Sequence, residues 1–145
     1  PACLRSMIIL DTNVVSEILR PAPQQHVVDW LAAQDGATIY LTAITEVELR
    51  HGVAILPEGK RRDGLAVMID QIVREDFAGR VLPFDSPAAE AFAVIAAARR
   101  AIGRPILHAD CQIAAIARVH GATVATRNTP DFADCGIDLI NPWNT

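Results

Sequence analysis

The sequence predicts a single α/β domain built on a parallel sheet, and two observations carry that expectation. Short apolar runs alternate with longer stretches in which apolar residues recur every three or four positions, the period of an amphipathic helix. The short runs are nearly continuous in apolar character, as suits parallel strands covered on both faces. A chain of 145 residues, 51% hydrophobic and 21% charged, suffices for one closed core and leaves little for a second.

In chain order, the strand candidates are Met7–Leu10, Thr38–Leu41, Arg80–Phe84, Thr123–Ala125 and a weaker Asp138–Ile140. Between them, Val14–Leu19, Gln24–Ala33, Ala43–Leu56, Lys60–Phe77, Pro87–Ile102 and Leu107–His120 carry the helical period. Ser86 followed by Pro87 reads as an N-cap and first-turn proline, and Gly103 and Gly121 fall where helices should stop. Residues 1–6 precede a methionine that opens the first strand. They are set aside as an expression remnant or a misplaced start, so the domain runs over 7–145.

The longest apolar run of consequence, Ala91 to Ala98, falls far short of the ~20 residues that cross a bilayer. Met7-Ile8-Ile9-Leu10 is shorter than the roughly 7–15 residues of a signal-peptide core. Cys3, Cys111 and Cys135 are odd in number and far apart, which argues against a disulfide framework or a CxxC zinc site. A cytoplasmic protein with no membrane association is expected. The formal net charge of −4 excludes blanket attraction to nucleic acid, so any such chemistry must be local.

Nucleotide-loop and nucleophile-elbow patterns are absent, and His26, His51, His108 and His120 form no HExxH. His108 and His120 fall at opposite ends of one expected helix and cannot share a zinc ion. What remains is carboxylates. Asp11 directly follows the first strand, at the end of a parallel sheet where ligands bind, although with Thr12 and Asn13 it also suits a helix cap. Asp110 interrupts a helical stripe of Ile106, Leu107, Ile113, Ala114 and Ala117. A buried carboxylate there needs a cation, a basic partner or a retained proton. Glu48 borders an apolar stripe beside Gly52, whereas Glu46 has Arg50 at i+4 and reads as half of a surface ion pair. Glu48 is therefore the better candidate, with a flanking surface acid as the alternative. At the exit of the Thr123–Ala125 strand, Thr126, Arg127, Asn128 and Asp131 form a polar loop. Asn128 and Asp131 can reach a central site, and Asp131 equally suits turn chemistry after Pro130.

Acids converging at one end of a sheet repel one another unless a divalent cation neutralises them. Oxygen donors without histidine or cysteine favour Mg²⁺ or Mn²⁺ over zinc, and such centres serve phosphoryl chemistry.

Ile8-Ile9-Leu10-Asp11-Thr12-Asn13, Glu48-Leu49-Arg50, His108-Ala109-Asp110 and Thr126-Arg127-Asn128-Thr129, in this order, resemble the motifs of the PIN-domain family. The closer likeness is to VapC/FitB-type toxins of type II toxin–antitoxin pairs. It runs from Met7 to Trp143 and includes Ala43-Ile44-Thr45 and the ending Asn141-Pro142-Trp143. The resemblance implies a three-layer domain with a five-stranded parallel sheet between helices, a homodimer, and a small DNA-binding antitoxin as cognate partner. It also implies a Mg²⁺-dependent (or Mn²⁺-dependent) endoribonuclease in which metal-activated water hydrolyses RNA phosphodiesters, leaving 5′-phosphate and 3′-hydroxyl ends. Asp11, Glu48 and Asp110 match the family's first three acids and are the expected metal ligands. Thr12, Asn13, Arg50, Thr126 and Arg127 are the expected substrate contacts. The chain departs from close relatives at the fourth acid, where Asn128 stands in place of aspartate and Asp131 is the candidate substitute. The alternative is a regulatory partner that binds operator DNA through its antitoxin and turns over little RNA.

Overall fold

The structure, a computed structural model, describes residues 6–145, so residues 1–5 of the set-aside segment lie outside it. Five strands form one sheet: β1 (Ile8–Leu10), β2 (Ile39–Thr42), β3 (Val81–Leu82), β4 (Thr123–Ala125) and β5 (Asp138–Ile140). Six α-helices accompany them: α1 (Thr12–Ile18), α2 (Gln25–Ala32), α3 (Ala43–Ala54), α4 (Lys60–Gln71), α5 (Ser86–Ala101) and α6 (His108–His120). The strand order is β3-β2-β1-β4-β5 and every pairing is parallel. The expected α/β class and five-stranded sheet are therefore found.

The core lies on both sides of the sheet, as the near-continuous apolar strands require. One cluster packs Ile9 and Val124 against α5 and α6 through Ile95, Ile113 and Ile116. The other packs Leu10, Leu41 and Ala125 against α1, α2, α3 and α4 through Val14, Val27, Trp30, Leu49 and Ile69. Successive strand residues thus face opposite layers.

The expected elements are present with four local differences. Strand β3 is two residues long instead of five: its partner β2 ends at Thr42, where α3 begins, so Pro83 and Phe84 have no strand to pair with. The helix expected over Lys60–Phe77 becomes a π-helical turn at Ile72–Asp76, closed by Phe77 N–H donating to the Ile72 carbonyl at 2.9 Å. Asp85, not Ser86, caps α5, its carboxylate accepting from Ala88 N at 3.1 Å, and Ser86 and Pro87 occupy the first helical positions. Two 3₁₀ turns, Gly36–Thr38 and Thr129–Phe132, stand where irregular chain was expected. Gly121 ends α6 in the left-handed conformation at φ 62°, the expected stop.

Candidate metal-carboxylate site

Strand β1 sits at the centre of the sheet. The chain winds outward from it through β2 to β3, then crosses back to β4 on its other flank. That reversal opens a crevice beyond the carboxyl ends of β1 and β4, where open parallel sheets place their ligands. The ladder continues one residue past each strand: Asp11 N–H donates to the Ala125 carbonyl and Thr126 N–H to the Ile140 carbonyl, both at 2.9 Å. Asp11 and Thr126 are therefore held side by side by backbone, before any side-chain contact is counted.

Asp11 is 6% exposed and does cap α1, accepting from Thr12 N at 2.8 Å through Oδ1. Its Oδ2 accepts from the buried Thr126 hydroxyl at 2.7 Å and from Asn13 Nδ2 at 3.2 Å. Despite three donors its pKa is raised, first by burial and then by the neighbouring charges of Glu48 and Asp131. The cap and the site are thus one residue, because the helix begins where the strand delivers its acid to the cleft.

Glu48 comes from α3, on the side of the helix away from the Glu46–Arg50 pair. Its Oε1 accepts from the Thr12 hydroxyl at 2.7 Å, which also lies 3.1 Å from the Thr45 hydroxyl. Asp110 stands in the first turn of α6. It is half-buried, and among the described residues no donor or ion-pair partner reaches its carboxylate, so the buried-salt-bridge alternative is set aside. Its pKa is pushed up to about 6, mainly by burial, then by Asp11, Asp131 and Glu48, with Arg99 opposing.

These three acids line one cleft of about 500 Å³ together with Thr12, Asn13 and Asn128. Asn13 Oδ1 accepts from Arg127 N at 3.3 Å, and Asn128 N donates to the Thr126 hydroxyl at 3.0 Å, tying the β4 exit loop to α1. Asp131, in the 3₁₀ turn, is exposed and is not among the residues that line the cleft, although its charge contributes to the raised pKa values of both aspartates. Arg127 lines the cleft, its guanidinium carbon 5.2 Å from the centroid of the Trp143 ring. Arg50 does not line it: its guanidinium is bound to Glu46 at 2.7 Å and Asp70 at 3.2 Å, which is the ion pair that its spacing from Glu46 predicts.

Four residues missed by sequence reasoning also line the cleft: Ser16, Glu17, Arg20 and Trp143. Glu17 is 4% exposed and accepts from Gln24 N at 3.1 Å and from Arg20 Nη1 at 3.4 Å, fixing the turn out of α1. Its signal was available, since an acid directly before Ile18 and three residues after Val14 interrupts an apolar stripe as Asp110 does.

Among the described residues no three acidic, histidine or cysteine side chains close into a ready-made metal cage. The acids instead ring an open cleft, each held apart from the others, as uncompensated like charges demand. The donor set still fits a hard cation: carboxylate, amide and hydroxyl oxygens face the cleft, and no histidine or cysteine lines it.

An acid-lined cleft at the switch point of a parallel five-stranded sheet is the arrangement of a PIN domain, and the PIN domain family model matches residues 8–136. The chain belongs to that family. Within it, the chain is one of the VapC/FitB-type toxins of toxin–antitoxin pairs. It is 46% identical over 138 residues to toxin FitB of Neisseria gonorrhoeae, covering 95% of this chain and 99% of that protein. It is 47% identical over 137 residues to VapC ribonuclease Y4jK of Sinorhizobium fredii, covering 94% and 98%. A plasmid stability protein, StbB, of Pseudomonas syringae is 48% identical over 137 residues, covering 94% and 99%. Among solved structures, FitAB bound to a DNA fragment contains a chain that superposes with a TM-score of 0.90 at 46% identity, covering 94% of this chain and 96% of that one.

Proposed function

We propose that this protein is the endoribonuclease toxin of a type II toxin–antitoxin pair, hydrolysing RNA phosphodiesters with Mg²⁺ or Mn²⁺ as cofactor. The observation that carries the reading is the meeting of Asp11, Glu48 and Asp110, from three separate elements, in one cleft where Asp110 has no hydrogen-bond or ion-pair partner among the described residues. Asp11 and Asp110 hold the cation, and Glu48 completes its shell or orients the attacking water. The bound ion supplies positive charge against the attacked phosphate and lowers the pKa of water for the attack.

The chain's own residues do the rest. Thr126 and Asn13 hold the Asp11 carboxylate in one orientation, so that little rearrangement precedes binding. Arg20 and Arg127 line the same cleft and offer cations to a phosphate backbone that the acids alone would repel. Asn128 offers an uncharged amide oxygen where close relatives carry an acid.

Relatives at high identity support the partner assignment. The solved complex of FitA and FitB on DNA supports a small DNA-binding antitoxin for this chain. Exposed apolar side chains, among them Val47, Val94, Ile102 and Leu107, leave surface for contact between subunits and support a homodimer. Among the described residues no helix is long and apolar enough to cross a membrane.

The test is cleavage of single-stranded RNA by purified, antitoxin-free protein. Activity with Mg²⁺ or Mn²⁺ and none in excess EDTA is expected, with 5′-phosphate products. Cleavage that survives the chelator overturns the metal mechanism. Binding of operator DNA with the antitoxin but no RNA turnover instead makes the protein a regulatory partner.

A further inference from the structure

Two opposite charges line one cleft and are not joined. Asp110 has no hydrogen-bond or ion-pair partner among the described residues, and neither has the guanidinium of Arg127, although both side chains line the cleft. Arg20, the other arginine there, does pair, reaching Glu17 at 3.4 Å. An arginine near unpaired carboxylates ordinarily closes onto one of them, because a charge-assisted pair is the strongest hydrogen bond open to it. Something in this cleft holds Arg127 back.

What lies against it is Trp143, whose ring centroid is 5.2 Å from the guanidinium carbon, within reach of a cation–π contact. The indole is half-buried and packs on the core cluster of Leu10 and Val14, so the ring is fixed from below. Polar ties hold the two residues in register. Asn13 Oδ1 accepts from Arg127 N at 3.3 Å, Asn141 Nδ2 lies 3.5 Å from the Arg127 carbonyl, and Asn141 Oδ1 accepts from Trp143 N at 2.9 Å. One asparagine thus joins the backbone of both. Packing alone is a poor account of the tryptophan: its Nε1–H is buried with no acceptor among the described residues, a loss that phenylalanine or leucine would avoid. What the indole has over either is the strongest ring face for a cation.

We infer that Trp143 is a positioning residue that parks the Arg127 guanidinium on its ring and off the cleft carboxylates, leaving the acids open to a cation and the arginine's donors unspent for a phosphate. The inference rests on the proposed reading of the cleft as a divalent-cation site that takes RNA. It adds the reason that the two charges do not neutralise each other before either meets its ligand. Without the ring, Arg127 closes onto the acids, where it opposes the metal and is lost to the phosphate at once.

The experiment is Mn²⁺ titration calorimetry at neutral pH without RNA on the parent, Trp143→Leu, Arg127→Gln and the double variant, with thermal melting in EDTA alongside. Trp143→Leu should weaken Mn²⁺ binding about tenfold, and Arg127→Gln in that background should restore it, because the released arginine is the competitor. Arg127→Gln alone should change the affinity less than about twofold, since a parked, exposed cation is screened. Severalfold tightening there means that the arginine already sits on the acids, and overturns the inference. Parental Mn²⁺ affinity in Trp143→Leu with a lower melting temperature overturns it too, as does a weakening that Arg127→Gln fails to relieve, because either makes Trp143 a packing residue. Should Trp143→Leu fail to fold, Trp143→Phe carries the test: its weaker ring face should cost about threefold, again relieved by Arg127→Gln, and unchanged affinity overturns the inference. A parent protein that binds no Mn²⁺ overturns the cation-site reading itself. Trp143 is then judged by binding of single-stranded RNA in EDTA, which Trp143→Leu and Arg127→Gln should weaken equally and the double variant no further. Parental RNA affinity in Trp143→Leu overturns the inference there.

Discussion

At the scale of single residues, the acids differ in what their protein partners already do for them. Asp110 is the unpartnered one, and its carboxyl holds its proton up to about pH 6 against an ordinary value of 3.8. Between those values the folded protein binds a proton that the unfolded chain has released, so unfolding free energy falls as pH rises through that window. Asp11, also raised, acts in the same direction. In EDTA the melting temperature should therefore decline from about pH 4 to above pH 6, and Asp110→Asn should flatten the decline. At pH 7 that variant should melt no lower than the parent while losing cleavage; a markedly lower metal-free melting temperature would make Asp110 a structural residue. Thr126→Val removes the hydroxyl that donates to Asp11 and accepts from Asn128, and should cost ~1–2 kcal/mol in chemical denaturation. Glu46→Gln, in a partly exposed network with Arg50 and Asp70, should cost no more than about 0.5 kcal/mol and leave cleavage unchanged. Asp11 and Asp110 were legible in the sequence because a lone acid after an apolar strand, or within an apolar helical stripe, has few structural uses. Arg20 and Trp143 were not, since only the folded chain brings the end of α1 and the segment after β5 to one cleft.

Among elements, the loop leaving β4 carries the predictions about cation number and RNA contact, because Arg127 and Asn128 from it line the cleft. Asn128 carries no charge, so one tightly bound Mn²⁺ is the expected stoichiometry. Asn128→Asp should raise affinity and admit a second ion, measured by calorimetry. Two comparably tight sites in the unmodified protein count against this account. Arg127, oriented over the Trp143 ring, is the loop's proposed phosphate contact. Arg127→Gln should weaken RNA binding across sequences and reduce its salt slope by about 0.7, as expected for one phosphate on a single strand. An unchanged slope removes it from the contact surface. The elements themselves were largely legible, because apolar strands and helical stripes follow local periods. The differences arose at local points that the periods do not report: β3 stopping where its partner β2 gives way to α3, the Asp85 carboxylate displacing Ser86 as cap, and the π-helical turn at Ile72–Asp76.

For the whole molecule, Asp11, Glu17, Glu48 and Asp110 meet in one crevice with only Arg20 and Arg127 against them, an imbalance that a divalent cation would relieve. Mn²⁺ should therefore raise the melting temperature by mass action, and the increment should vanish in Asp11→Asn. The sheet order β3-β2-β1-β4-β5 has a further consequence in time. Asp11 and Thr126 are 115 positions apart, and every strand pairing joins distant stretches of chain without a hairpin. A ribosome that has translated Asp11, Glu48 and Asp110 has produced all three acids and no cleft, because β1 has no β4 to register against. A message truncated before Thr123 should therefore yield a polypeptide that carries the acids yet leaves cell growth untouched, because the cleft closes only once β4 and β5 have been made.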